Sequence, residues 1–192
     1  MNLLLSVLVG ICCWRLSSAY SDGSVAAVCD SMLPGHIGIN PQTTTPPYRV
    51  RVNCSTYGPG DRITVTLEAS QNGTNFQGFM LQARRTAGGT AGGSFRATNT
   101  SQFRLHSCFN MENSSISHAS GEPKSLFEAT WVAPLTPSLG NIQFCATFVR
   151  DYAEFWTMVS SGILSDGSVN KVSADAMCFC VLAALAGLLG FF

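Results

Sequence analysis

Residues 127–160 read F-E-A-T-W-V-A-P, then L-T-P-S-L-G-N, then I-Q-F-C-A-T-F-V-R-D-Y-A-E-F-W-T-M-V-S, and they decide the fold class. The first and last runs alternate polar and apolar residues and are dense in β-branched and aromatic types, the pattern of half-buried strands. Between them Pro134, Pro137 and Gly140-Asn141 supply a fixed φ and a tolerated positive φ, so the chain is expected to reverse there. Ile142, Phe144, Ala146 and Phe148 fall on one face of the second strand; Gln143, Cys145, Thr147 and Val149 fall on the other. Trp131 and Trp156 are the largest apolar groups and belong in a core. The stretch is expected to be a long hairpin with a half-buried cysteine, followed by a third strand, closing a β-sandwich.

The chain upstream repeats the pattern. Tyr48, Val50 and Val52 alternate with Arg49, Arg51 and Asn53; past the turn Gly58-Pro59-Gly60-Asp61, Ile63, Val65 and Leu67 alternate with Thr64, Thr66 and Glu68. That is a hairpin with one wet face. Asn72-Gly73 marks the next turn, and residues 76–85 form a third strand. The run A-G-G-T-A-G-G at 87–93 lacks the Gly-Lys-Ser/Thr ending of a phosphate-binding loop and leads to no helix, so a flexible loop is expected. Short strands are expected at 95–97 and 103–105, and the polar stretch 108–124 reads as a loop. Residues 20–40 are irregular, and the proline-bounded 41–47 crosses from one sheet to the other. Seven or eight short strands without an amphipathic helix predict an all-β, immunoglobulin-like antiparallel β-sandwich.

The two ends stand apart from this domain. Residues 1–19 read as a secretory signal peptide: residues 3–13 are apolar, and Ser17-Ser18-Ala19 places small residues before a cut at Tyr20. Residues 176–192 are uncharged and apolar. They are short for a spanning helix and have no basic flank. The polar stretch before them and the small triplet Ser165, Asp166, Gly167 match a glycosylphosphatidylinositol signal, with the lipid attached at that triplet. A short tail anchor and an unprocessed tail are the alternatives. The domain is thus set at 20–161, the linker and attachment spacer at 162–175 and the tail at 176–192. The chain is expected in the secretory pathway, on the outer face of the plasma membrane or secreted.

Of eight cysteines, Cys12 and Cys13 lie in the signal, and Cys178 and Cys180 in the tail. Cys29, Cys54, Cys108 and Cys145 remain. An even number in a secreted domain implies two disulfides with three possible connectivities, and no C-x-x-C pair among them suggests zinc. Sequons at Asn53, Asn72, Asn99 and Asn113 predict a glycoprotein. Eleven Lys and Arg balance eleven Asp and Glu, so nothing directs the reading to nucleic acid.

Two stretches together resemble the reeler (reelin N-terminal) domain: Y-S-D-G-S-V at 20–25 with C-D-S-M-L-P-G-H at 29–36, and T-W-V-A-P at 130–134 with G-N-I-Q-F-C-A-T-F-V-R at 140–150 and F-W at 155–156. The loop S-I-S-H-A-S-G-E-P-K at 115–124 is similar to the family's corresponding loop. The resemblance implies an immunoglobulin-like sandwich and a Cys29–Cys108 disulfide, leaving Cys54 to pair with Cys145. Reeler domains stand alone in small secreted defence proteins. They also form the ectodomains of ferric-chelate reductase-like membrane proteins, ahead of electron-transfer domains, and occur in matrix and guidance proteins. The expected role is a non-catalytic extracellular binding module in innate defence at the cell surface, meeting an unidentified ligand such as a glycan or a microbial surface. The alternative is an accessory, ectodomain-like protein of the ferric-chelate reductase family without the electron-transfer domains.

No G-x-S-x-G, H-E-x-x-H or framed pair of carboxylates points to an enzyme, and no cofactor is expected. A Cys29–Cys108 link would bring His106 toward the segment holding His36, with His118 in the next loop. Three imidazoles can hold a metal, but solvated histidines are the expected state and no metal site is assigned. Arg84, Arg85, Arg96 and Arg104 are either a basic strip for a sulfated or anionic surface or a solvated sheet face.

Overall fold

The computed structural model describes residues 22–96 and 101–167. Two antiparallel sheets face each other. The four-stranded sheet runs β1 (Tyr48–Val52), β3 (Arg62–Ala69), β9 (Leu126–Val132), β6 (Ser94–Arg96). The larger sheet runs β11 (Phe155–Ser160), β10 (Ile142–Val149), β4 (Gly78–Arg85), β8 (Met111–His118), β7 (Phe103–Cys108), with β5 (Gly88–Ala91) paired to β4. A short parallel pair joins β2 (Thr56–Tyr57) to β12 (Ser165–Asp166). The expected immunoglobulin-like sandwich is what forms.

The alternation read from the sequence sets the burial. Val50, Ile63, Val65 and Leu67 point inward, while Arg49 and Arg51 stay wet and reach Glu68. From the larger sheet Phe79, Leu81, Ile116, Phe144 and Phe148 point into the same core, and Trp131 is fully buried among them. Trp131 meets Phe144 edge-on at 5.4 Å, and Tyr48 stacks on Phe148 at 4.7 Å. Residues 41–47 do cross between sheets: Gln42 N–H donates to Phe155 O on the larger one, and the chain enters β1 of the smaller one six residues on.

Several expectations are corrected. The two strands expected from the first and last runs of 127–160, β9 and β10, are no hairpin. β9 pairs with β3 and β6, β10 with β4 and β11, so residues 133–141 carry the chain over the sandwich edge. A connection of that length with two prolines suits a change of sheet; the true hairpin is β10–β11. The glycine-rich 87–93 holds strand β5 rather than a loop, and its last two glycines serve close packing. A Cβ on Gly93 would stand 2.3 Å from the Trp131 ring, and Gly92 O accepts the Trp131 indole N–H at 2.9 Å.

The polar stretch 108–124 contains β8, an interior strand bonded to β4 and β7. Its serines are buried, but each hydroxyl is satisfied: Ser114 by Cys108 N–H and O, Ser115 by Leu81 O, Ser117 by Gly23 O. Composition hid this strand, because buried hydroxyls read as polar. Its entry turn, Phe109-Asn110, has positive φ at both residues, the mirror-image hairpin turn usually written with Asn-Gly.

The fold also runs past Ser161. Leu164 is fully buried and bridges Ile142, and Asp166 is buried, bonded by Ser138. The signal at 1–19, the tail at 176–192, residues 168–175 and Asn99 lie outside the described residues. Asn53 sits at an exposed bend and Asn72 at an exposed turn, while Asn113 is half-buried at a bulge in β8.

Candidate functional site

The outer face of the larger sheet is polar: Gln82 and Arg84 on β4, Ser115 and Ser117 on β8, Cys145 and Thr147 on β10. In a lone sheet it would be solvated. Here residues 22–39 lie across it as a strap with one 3-10 turn, Ala26–Val28, and bury it. The expected Cys29–Cys108 disulfide is present, joining strap to sheet across 79 residues of sequence.

Hydrogen bonds to strap carbonyls complete the attachment. Arg84 donates to Cys29 O and Asp30 O, both at 2.7 Å, and Gln82 to Cys29 O at 3.0 Å. Thr147 Oγ1 donates to Met32 O at 2.6 Å, and Ser117 Oγ to Gly23 O at 2.7 Å. Gly23 is held by space, since a Cβ there would meet His118 O at 1.6 Å. A buried polar face needs partners for every group, and the strap's backbone supplies them.

Between strap and sheet lies a cavity of about 230 Å³. Val25, Val28, Met32 and Leu33 wall it from the strap, and Phe79, Met80 and Val149 from the sheet. His36, His118, Gln77, Asp151 and Tyr152 complete its outline near the β10–β11 turn. Its polar groups are mostly occupied by structure. His118 Nδ1 lies 3.1 Å from Phe79 N, against Gly78, where a Cβ would stand 2.9 Å from the ring. Asp151 Oδ1 accepts from Ala153 N–H and Glu154 N–H. His36 differs: it stacks on Tyr152 at 4.5 Å, and its Nδ1 is buried with no hydrogen-bond partner. Burial pushes its pKa below the ordinary value, against the opposing pull of a backbone hydrogen bond with Tyr152 and of the Asp151 charge. The ring is neutral at pH 7. A second, more open depression of about 430 Å³ lies at the far end of the sandwich, beside Arg85, Glu112 and Pro134.

The three histidines part company. His36 and His118 both line the cavity; His106 lies outside it, its Nε2 2.8 Å from Ser117 Oγ. Among the described residues no group of three or more His, Cys, Asp or Glu is spaced to hold a metal. The arginine strip does not form either. Arg84 is buried under the strap, Arg104 pairs with Asp22, and Arg96 belongs to the other sheet.

Cys54 and Cys145 are free thiols, against the expected second disulfide. Cys145 is fully buried rather than half-buried, and lies on the outer face with Met32, Met80 and Cys108; Cys54 packs against the inter-sheet core. The larger sheet stands between them. Burial pushes both thiols up in pKa, which keeps them protonated and unreactive.

Sequence reasoning missed the strap's role and the residues that clamp it. Gln82 and Arg84, alternating with Leu81 and Ala83, were the available signal.

Fold and site together define a disulfide-stapled, immunoglobulin-like sandwich with a cavity roofed by its own N-terminal segment. The Reeler domain family model matches residues 27–172, and the chain belongs to that family. It is 43% identical over 86% of its length to "Putative ferric-chelate reductase 1" of Danio rerio, of which it spans 28%. It is 32% identical over 76% of its length to "Putative defense protein 3" of Antheraea mylitta, covering 86% of that protein. The human F-spondin reeler domain shares the fold with a TM-score of 0.56 at 19% identity, over 68% of this chain and 95% of that one.

Proposed function

We propose that this chain is a non-catalytic, extracellular reeler-domain binding module acting in innate defence at the cell surface, with the cavity beneath the strap as its binding site. The observation that carries the reading is that cavity. Its walls are mostly apolar and most of its polar groups already serve the fold, which suits binding better than bond-making. The Cys29–Cys108 disulfide supports an oxidising compartment, and the similarity to the Antheraea protein over most of its length supports defence. A glycan and bacterial-surface screen on cells displaying the full chain tests it. Binding should fall when the cavity is filled by Val149→Trp; equal binding by both forms places the ligand elsewhere.

Attachment by lipid at 165–167 fits this picture best through Gly167. Ser165 and Asp166 are paired in β12, and Gly167 N–H still donates to Tyr57 O at 2.8 Å. Leu164 bridges Ile142 at one end of β10, while the cavity lies past Val149 at the other. Those ends are roughly 24 Å apart at a strand's rise per residue, so an anchored domain would hold its cavity away from the bilayer. Phosphatidylinositol-specific phospholipase C should release the protein from intact cells; retention with Phe192 intact would mean a tail anchor.

The second reading, an accessory ectodomain-like protein of the ferric-chelate reductase family, is favoured by the 43% identity to the Danio protein. Haem absorbance or bound iron in the purified chain would select it.

A further inference from the structure

We infer that the cavity takes an unbranched aliphatic chain of roughly eight carbons ending in an uncharged head. This rests on the reading of the cavity as the binding site and names the ligand's chemistry. An apolar cavity of about 150 Å³ accommodates benzene; at about 230 Å³ this one takes more. If a methylene occupies about the 30 Å³ of a liquid water molecule, the volume corresponds to roughly eight of them.

The walls favour a chain over a ring. Val25, Val28, Met32, Met80 and Val149 offer methyl groups and thioethers, which adapt to a flexible guest. The aromatic neighbours are engaged: Tyr152 is stacked by His36, and Phe79 packs against Phe76 and Phe127 in the core. An aromatic guest would lack a ring to stack on. The rim is also apolar, with Leu33, Tyr152 and neighbouring Ile37 exposed at 42%, 41% and 74%, so a longer chain can continue outward over it. The head is fixed by what surrounds it. The Asp151 carboxylate in the lining disfavours a second carboxylate, so the head is uncharged.

The test uses the full chain displayed on cells. A 1-decanol bearing a diazirine and a clickable terminus is photolysed, and labelled peptides are mapped. Label should fall on residues 25–34, 78–80 and 147–152. Plain 1-alkanols should compete about fourfold better per added methylene, the ratio given by about 0.8 kcal/mol per buried CH₂, until roughly eight carbons, where the gain flattens. Val149→Trp and, separately, Val28→Phe should remove the label while Cys29–Cys108 stays formed. A parallel arm with diazirine-bearing phosphatidylcholine distinguishes sources: label from it at the same peptides means the chain is drawn from bilayer lipid, and label from decanol alone means a free molecule. Either supports the assignment. Protection of these peptides by 1-naphthol but not by alkanols overturns the ligand class and leaves the binding site standing. Label at these peptides that both filling variants retain overturns the assignment. No label and no competition by either compound overturns the assignment and the binding-site reading together.

Discussion

The two faces of the larger sheet are both buried, by opposite means. The inner face presents Phe79, Leu81, Ile116, Phe144 and Phe148 and is covered by side chains of the smaller sheet. The outer face presents Gln82, Arg84, Ser117, Cys145 and Thr147 and is covered by a segment with little regular structure, largely through its backbone carbonyls. The inner face gains from removal of apolar area from water, which is non-directional. The outer face depends on geometry, because each buried polar group must find its partner. The teaching is that the second layer should be separable: the sandwich can stay closed while the strap lifts.

The largest effect belongs to the inner layer. Trp131→Ala should cost about 3–5 kcal/mol, read by chemical denaturation, and should lower hydrogen-exchange protection in both sheets together. If protection falls in one sheet alone, the core is not shared as described. Removing the staple with Cys29→Ala and Cys108→Ala should cost about 2–4 kcal/mol. Exchange in residues 22–36 should then quicken far more than in β3 or β9. Uniform quickening would show that strap and sandwich form one cooperative unit.

Arg84→Met leaves the Asp30 carbonyl without its donor and the Cys29 carbonyl with Gln82 alone, at about 1–3 kcal/mol. The loss should be confined to the strap, as seen by proteolysis near residue 30. Acid should act in the same place with the smallest effect. His106 and His36 both have pKa values lowered chiefly by burial, so the fold prefers them neutral. Above the ordinary value of 6.5 both states are neutral and stability is flat. As pH falls through that value the unfolded chain binds protons first, and stability declines until the lowered folded values are reached. Melting temperature measured at pH 7.5, 6.5 and 5.5 should show this decline, and His106→Gln with His36→Gln should flatten it. A steeper decline in the double variant would contradict the assigned direction.

How much of this was legible depends on what each residue had to do. Period-two alternation is local, so the inward set of β1, β3 and β10 could be read directly, as could the side of β10 on which Cys145 lies. That parity already set Cys145 apart from the inter-sheet core that Cys54 joins, although pairing the last two cysteines by elimination ignored it. β8 could not be read, because its serines are buried through hydroxyl bonds to the distant Leu81 and Gly23, and composition carries no trace of a remote partner.

By itself the sequence determined strands β1, β3, β4, β9, β10 and β11, the wet and dry faces of the first hairpin, the core tryptophans and the likeness to reeler domains, since these follow from neighbouring residues or from whole motifs. Only the tertiary structure decided which strands pair, that β9 and β10 lie in different sheets, that Arg84 is a clamp rather than a basic patch, and that an irregular N-terminal segment roofs a cavity. Each of those depends on contacts between residues tens of positions apart, such as Thr147 with Met32 and Arg84 with Cys29, and long-range partners are chosen by the packing of the whole chain.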